Sequence, residues 1–184
     1  MKIFINPGHS VDGEDHGACA NGLTEAFVAL DISQRVGNYL REAGCEVNIG
    51  QFDWLDEICE ASNSWGANIF ISIHCNAATS PYAQGTETFC VYGATAGREL
   101  AECIQTQIVN SLPVENRGVR EAAFAVLTGT TCPAVLVETA FVTNVHDAEL
   151  LADKPDDFAR AIARGVTDYL QSNSPRPDVV DTQG

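Results

Sequence analysis

Short apolar runs alternate with stretches of helical periodicity along most of the chain. Apolar runs bounded by turn residues predict strands over residues 2–6, 45–49, 69–73, 124–127 and 134–137, and an alternating pattern predicts one over 85–92. Apolar positions three and four residues apart predict helices over 24–44, 53–65, 96–112 and 156–170. Strands that alternate with helices are typical of an α/β fold. We therefore predict a mostly parallel twisted sheet of about six strands with helices on both faces.

Length and C-terminal composition bear on domain organisation. A chain of 184 residues can bury the core of one domain, which is predicted to span residues 1–171. From residue 172 onward the apolar periodicity stops, and Pro175 and Pro177 occur. Residues 172–184 are therefore predicted to be a flexible tail or a linker to a further module. Nothing in the pattern indicates an obligate dimer, so a monomer is expected.

The charge of the chain narrows the range of partners. Its formal net charge of −15 repels the phosphates of nucleic acid, which is therefore not an expected partner. No apolar run approaches the roughly 20 residues that span a bilayer, so membrane insertion is not expected either. Pro7-Gly8 interrupts the first apolar run before a signal peptide could be completed, and no export signal is predicted.

Two of the four histidines follow predicted strands directly. His9 comes after the first strand and its Pro-Gly turn, and His74 follows the run 69–73. Because the carboxyl ends of parallel strands meet at one edge of a sheet, the two imidazoles are expected to lie together. Glu25 opens the first helix and can return to that edge. Two imidazoles and a carboxylate suit Zn²⁺ with a fourth position for water, although turn, capping and helix-dipole roles stay open here.

Glu138 stands at the end of a fully apolar run, residues 133–137. An ionisable group in that place is costly unless it is paired or functional. One interpretation is a paired carboxylate in the core. The other is a catalytic carboxylate that takes a proton from a water at the metal and later gives it to a leaving amine.

Four segments in a fixed order carry a family resemblance. They are Asn6-Pro7-Gly8-His9, Gly22-Leu23-Thr24-Glu25, Ser72-Ile73-His74-Cys75-Asn76-Ala77 and the stretch 133–144 that contains Glu138. Together they resemble the zinc-dependent N-acetylmuramoyl-L-alanine amidases, the amidase-3 type of cell-wall hydrolase, from about residue 2 to residue 170. The resemblance implies that His9, Glu25 and His74 bind Zn²⁺ and that Glu138 is catalytic. It also implies hydrolysis of the amide between N-acetylmuramic acid and L-alanine in peptidoglycan, at the cell wall.

Some positions depart from that pattern or fall outside the catalytic set. The family usually has Asp where this chain has Asn6, and Gly is common where it has Ala140. A hydrogen-bond acceptor at position 6 can orient the following histidine, so tuning of the site is expected. Asn76, Glu87 and Arg117 are conceivable substrate contacts, but turn and strand-face roles are simpler and they stay outside the catalytic set.

Alternatives of other classes stay open at this point. A catalytically silent peptidoglycan-binding module could keep the same fold. A cysteine enzyme could use Cys75 or Cys132, although the seven cysteines form no CxxC pair and are predicted to be buried and reduced. The missing export signal fits a phage endolysin, or a domain excised from a larger exported protein that carries a wall-binding module.

Overall fold

Strands and helices alternate along the chain in the computed structural model, which describes residues 1–173. The strands are β1 (Lys2–Pro7), β2 (Cys19–Ala20), β3 (Leu23–Thr24), β4 (Glu46–Ile49), β5 (Ile69–Asn76), β6 (Thr86–Cys90), β7 (Asn116–Glu121) and β8 (Ala134–Phe141). The helices are α1 (Glu25–Glu42), α2 (Leu55–Trp65), α3 (Thr95–Ser111), α4 (Ala125–Thr128), α5 (Val145–Asp153) and α6 (Pro155–Ser172). The predicted tail, 172–184, lies outside the described residues except for Ser172 and Asn173, which end and cap α6.

Six of the strands form one sheet in the order β4-β1-β5-β8-β6-β7. Strands β4, β1, β5 and β8 are parallel, and β6 is antiparallel to β8 and parallel to β7. The predicted mostly parallel sheet of about six strands is therefore confirmed. The carboxyl ends of β1, β5 and β8 meet at one edge, and β6 begins beside the end of β8. This edge is where ligand sites form in open α/β sheets.

Alternation along the strands divides the core between the two faces of the sheet. Ile3, Ile5 and Ile71 belong to the larger cluster, which includes buried residues of α1, α3 and α6. Phe4 and Phe70 belong to a smaller cluster with residues of α2 and α4. Helices thus cover both faces, as predicted. Along each strand, every second residue after Phe4 or Phe70 also faces α2, up to the carboxyl edge of the sheet.

One predicted strand is wrong, and the real strands β2, β3 and β7 were not predicted. Residues 124–127 were expected to be a strand, but Ala125–Thr128 is the short helix α4. A four-residue apolar run carries no period that separates a strand from a helical turn, which explains the error. The sixth strand is instead β7, at the sheet edge, where no residue is fully buried and the sequence shows no apolar run. Helix α5 was not predicted either.

Two further expectations concern the burial of the cysteines and membrane-spanning helices. All seven cysteines are free thiols, but only Cys75 and Cys90 are buried and Cys19 is exposed, so the prediction of buried cysteines holds only in part. No helix among residues 1–173 is long and apolar enough to cross a membrane.

We expect Gly165→Ala to destabilise the fold, although alanine is the better helix former by about 1 kcal/mol. Helix α6 packs against α3 at this glycine, where an added Cβ would lie 2.5 Å from the Cα of Ile104. Forcing these backbones apart should lower the free energy of unfolding by about 1–3 kcal/mol, measured by urea denaturation. Gln171→Ala, at an exposed position of the same helix, is the control and should stay within about 0.5 kcal/mol. An unchanged or raised stability of Gly165→Ala would contradict this packing.

Candidate metal centre and catalytic cleft

The three predicted metal ligands lie together at the carboxyl edge of the sheet. His9 follows β1, Glu25 is the first residue of α1, and His74 lies near the end of β5. One potential ligand atom from each lies within 4.8 Å of the other two. The structure therefore brings together all three residues that the sequence singled out as ligands.

Glu25 is the centre of this group. One carboxylate oxygen, Oε1, lies 3.0 Å from His74 Nδ1 and accepts a hydrogen bond of 3.1 Å from the Cys75 amide. The other, Oε2, lies 3.2 Å from His9 Nε2 and accepts a 3.0 Å hydrogen bond from the Ala18 amide. The side chain is only 5% exposed. A buried carboxylate is tolerated here because both of its oxygens are paired.

The electrostatics of the group suit a cation. Burial acts to raise the pKa of Glu25, but hydrogen bonds from His74, His9 and the Ala18 amide outweigh it and hold the pKa far below its usual range. The hydrogen bond to Glu25 raises the pKa of His9 to about 9, against the opposing effect of burial. The ionised carboxylate is thus balanced by positive charge. Its contacts with the two imidazoles, 3.0 and 3.2 Å, approach the roughly 3.4 Å between ligand atoms of a tetrahedral zinc site.

Two glycines allow the close approach of these side chains. A Cβ on Gly8 would overlap the ring of His74, and a Cβ on Gly17 would lie 2.5 Å from the ring of His9. His9 itself adopts a positive φ of 57°, a conformation that costs a non-glycine residue roughly 1–3 kcal/mol. The turn after β1 therefore places the His9 imidazole in the site at a cost in local backbone energy.

Asp15 belongs to this arrangement, and the sequence reasoning missed it. Its Oδ2 lies 3.0 Å from His9 Nδ1, on the far side of the ring from Glu25. Its Oδ1 accepts a hydrogen bond from the Gly17 amide. A carboxylate on the second ring nitrogen fixes the tautomer and orientation of a ligating histidine. Asp15 lies in a loop without periodicity, so only its nearness to His9 in the sequence could have pointed to it.

Asn6 does not orient His9, contrary to the role considered for this position. Its side-chain amide donates to the carbonyls of Pro7 and Gly50, and its Oδ1 accepts a hydrogen bond from Ser72 Oγ. These contacts tie β1 to β5 and to the end of β4. Ala140 is fully buried in the larger core cluster, away from the cleft. Neither departure from the family pattern removes a contact of the His–Glu–His group.

Glu138 lies beside this group with one oxygen unpaired. It is the residue of β8 in register with His74 of β5, so both side chains extend from the same face of the sheet. Its Oε2 is buried and has no hydrogen-bond partner among the described residues. Burial raises the pKa of Glu138 to about 7. It is therefore not the paired core carboxylate of the simpler interpretation, and it can hold or release a proton near neutral pH.

A cleft of about 320 Å³ contains His9, His74 and Glu138. Its opposite wall is apolar and comes from the segment before α2, from α2, from α4 and from β8: Phe52, Leu55, Ile58, Phe124, Val126 and Leu136. The short helix α4 that replaces the predicted strand thus supplies part of the wall. A concave site that combines polar groups with an apolar wall is typical of small-molecule and substrate sites.

The remaining candidate residues are two cysteines and a polar cluster. Cys75 is fully buried against Thr139, and burial raises its pKa far above the ordinary thiol value, so a thiolate nucleophile is disfavoured. Burial also raises the pKa of Cys132. The three residues left outside the catalytic set do meet: Asn76 donates to Glu87 Oε1 at 2.7 Å, and Arg117 Nε lies 3.1 Å from the same oxygen.

The fold and this site define an α/β domain with a candidate metal-hydrolase centre at the carboxyl edge of its sheet. Residues 3–168 match the family model described as N-acetylmuramoyl-L-alanine amidase, of the amidase-3 type, and the chain belongs to that family.

Similar proteins agree in sequence and in structure. The N-acetylmuramoyl-L-alanine amidase LytC of Bacillus subtilis is 41% identical over 177 residues, which cover 92% of this chain and 35% of LytC. An endolysin of Bacillus phage SPP1 is 30% identical over 175 residues, 89% of this chain and 62% of that protein. The crystal structure of an N-acetylmuramoyl-L-alanine amidase from Clostridium difficile 630 superimposes with a TM-score of 0.88 at 30% identity, covering 94% of this chain and 98% of that one. The chain thus spans about a third of the length of LytC.

We expect Gly17→Ala to disturb the site more than Gly22→Ala. Both glycines have positive φ, 69° and 77°, but only at Gly17 would the new Cβ meet His9 and Glu25, whereas Gly22 has open space. Both variants should lose about 1–2 kcal/mol in urea unfolding because alanine disfavours this backbone region, and Gly17→Ala should lose more. The imidazole ¹⁵N resonances of His9 should move only in Gly17→Ala. Equal losses and unmoved resonances would show that the close approach is not tight.

Proposed function

We propose that this domain hydrolyses the amide bond between N-acetylmuramic acid and L-alanine in peptidoglycan, with Zn²⁺ held by His9, Glu25 and His74 and with Glu138 as the catalytic residue. One observation carries the proposal: a buried carboxylate oxygen without a partner, on Glu138, shares a cleft with His9 and His74 of the three candidate metal ligands. The family of the chain and the named activities of its relatives support the substrate class.

The donor set favours zinc over harder cations. Two imidazoles with one carboxylate are a common ligand set of catalytic zinc, whereas magnesium and calcium prefer oxygen ligands alone. The ionised Glu25 offsets part of the charge of a bound cation, and Asp15 fixes the ring of His9. Zinc, when bound, lowers the pKa of a coordinated water toward about 7 and polarises the substrate carbonyl.

Glu138 carries the proton transfers. As a carboxylate it accepts a proton from the water that attacks the scissile carbonyl, and as an acid it returns that proton to the nitrogen of L-alanine, which leaves as a free amine. A pKa of about 7 suits both halves of this cycle, because the group then gains and loses a proton at little cost near neutral pH. The apolar wall that includes Phe52 and Phe124 limits water in the cleft and strengthens these electrostatic interactions.

The domain is also proposed to have a defined location in the cell envelope. Peptidoglycan lies outside the cytoplasmic membrane, so the domain acts at the cell wall, as a monomer, with residues 172–184 as a tail or as a linker to a wall-binding module. Its relatives include a bacterial amidase and a phage endolysin. The first supports export as part of a larger protein, and the second supports release through a phage-type lesion.

Zinc binding should depend on the His–Glu–His group. The wild-type protein is expected to bind one zinc ion, measured by calorimetry and by elemental analysis after dialysis. His74→Ala should weaken that binding by about 100-fold or more, because it removes a ligand and not merely a supporting contact. His146→Ala, an exposed histidine on α5, is the matched control and should bind as the wild type does. Equal zinc content in His74→Ala and in wild type would remove the proposed metal site.

Glu138→Gln should keep its zinc and lose hydrolysis. Removal of a group that transfers protons typically costs about 10²–10⁴-fold in rate, here measured as the release of L-alanine amino groups from purified sacculi. Glu149→Gln, an exposed carboxylate on α5, should retain full activity.

The same assay separates the rival functions. Zinc-loaded wild type that binds sacculi without releasing amino groups would replace the hydrolase by the silent binding module. Activity that survives chelation but not thiol alkylation would favour a cysteine nucleophile instead.

A further inference from the structure

Two arginines share one buried carboxylate beside the catalytic cleft. Glu87 is almost fully buried, and its oxygens lie 3.1 Å from Arg117 Nε and 2.7 Å from Arg120 Nε. Asn76, two residues beyond His74, donates a third contact to Glu87. A buried carboxylate needs such partners, and among the described residues Arg120 is the only one at Oε2, because Arg117 and Asn76 both contact Oε1. The Arg120 side chain is nevertheless 51% exposed.

The charge balance of this cluster differs from that of most other arginines. Four other arginines each pair with a carboxylate one turn away on the same helix: Arg35, Arg98, Arg160 and Arg164. Arg117 and Arg120 instead have one carboxylate between them, in a protein with a net charge of −15. Arg120 contacts Glu87 at 2.7 Å through Nε, and its two η nitrogens donate no hydrogen bond within residues 1–173. They are free to bind an anion.

The sheet places this free guanidinium toward the cleft. Glu87 of β6 is in register with Glu138 of β8, so both side chains extend from the same face. On the next strand Arg120 is in register with Phe89, which shares that face with Glu87. The ring of Phe89 packs at 5.1 Å against Phe124, which lines the cleft. Arg120 therefore lies on the same face of the sheet as Glu138, two strands away and outside the residues that line the cleft.

We infer that Arg120, supported by Arg117 and Glu87, binds a carboxylate of the stem peptide on the amine side of the scissile bond. The inference rests on the proposed function and adds a determinant of substrate preference. N-acetylmuramic acid, once joined to alanine, presents neutral hydroxyl and acetamido groups, so the anionic groups lie on the peptide side. A guanidinium with two free nitrogens suits bidentate binding of a carboxylate.

The distances between strands indicate that Arg120 reaches the second residue of the peptide. Neighbouring strands lie about 4.8 Å apart, so β6 and β7 are roughly 5 and 10 Å from β8, and the guanidinium of Arg120 lies between these limits. An extended peptide advances about 3.5 Å per residue, which puts a carboxylate on the second residue about 7 Å from the scissile nitrogen. A carboxylate on L-alanine itself would be too near Glu138 to reach Arg120.

Binding to two matched ligands tests this inference. N-acetylmuramoyl-L-alanyl-glycine and its C-terminal carboxamide differ only in the charge at the second residue. Their Kd values are measured by calorimetry in zinc-loaded Glu138→Gln, where turnover is suppressed. We expect the carboxylate to bind about five- to tenfold more tightly, as for a charge-assisted contact that is partly exposed to solvent. Adding Arg120→Gln should reduce the ratio of the two Kd values to about 1.

Controls separate this role from a structural one. Arg164→Gln, an exposed arginine on α6, should leave the ratio unchanged, and Arg120→Lys should retain part of it because the charge persists. Equal Kd values for the two ligands, a preference that survives Arg120→Gln, or no measurable binding of either ligand would overturn the inference. Failure of the proposed function shows separately, as absence of hydrolysis of both ligands by zinc-loaded wild type.

Discussion

A carboxylate buried without partners costs several kcal/mol, and the site is organised around the way Glu25 avoids that cost. Its two oxygens contact both imidazoles and two backbone amides, so one side chain joins the start of α1, the loop before it, the turn after β1 and the end of β5. Moving any of these four segments would take away part of the pairing of this buried charge. The geometry of the candidate metal centre is therefore enforced by the folding of the protein itself, and the strained turn at His9 is held by the same contacts.

Glu138 lies beside the same group, but its carboxylate is in the opposite situation. Where Glu25 is saturated with donors, Glu138 keeps a buried oxygen without one, and burial raises its pKa to about 7. Two carboxylates whose environments push their pKa values apart take different roles: the one that stays ionised suits a cation, and the one that can gain a proton suits proton transfer. The register between β5 and β8 produces this difference, because it places Glu138 beside His74 on the face that the apolar wall covers.

How far the sequence predicts this molecule depends on whether each feature has a local pattern. Buried strands such as β1, β5 and β8 are continuous apolar runs, and the residues that end them carry the site, so His9, His74 and Glu138 could be singled out. The edge strand β7 buries no residue fully and has no such run, and α4 is too short to show a period. Asp15 acts through a loop whose shape depends on Glu25 and on Gly17. The turn at Asn21-Gly22 is different, because Asn-Gly between two short strands is a hairpin signal that the sequence did contain.

The arginine cluster could not be predicted from such patterns. Arg117 and Arg120 are three residues apart on β7, so regular alternation would send their side chains to opposite faces. Both nevertheless reach Glu87. The register between β6 and β7 shifts at Thr86 and Glu87, and Gly118 between the arginines has a φ of +83°, so the strand turns locally and brings the first guanidinium back to the face of the second. The antiparallel step from β8 to β6 then places this face beside Glu138. Charge at this end of the cleft thus depends on one irregular register and one glycine, neither of which hydrophobic periodicity can reveal.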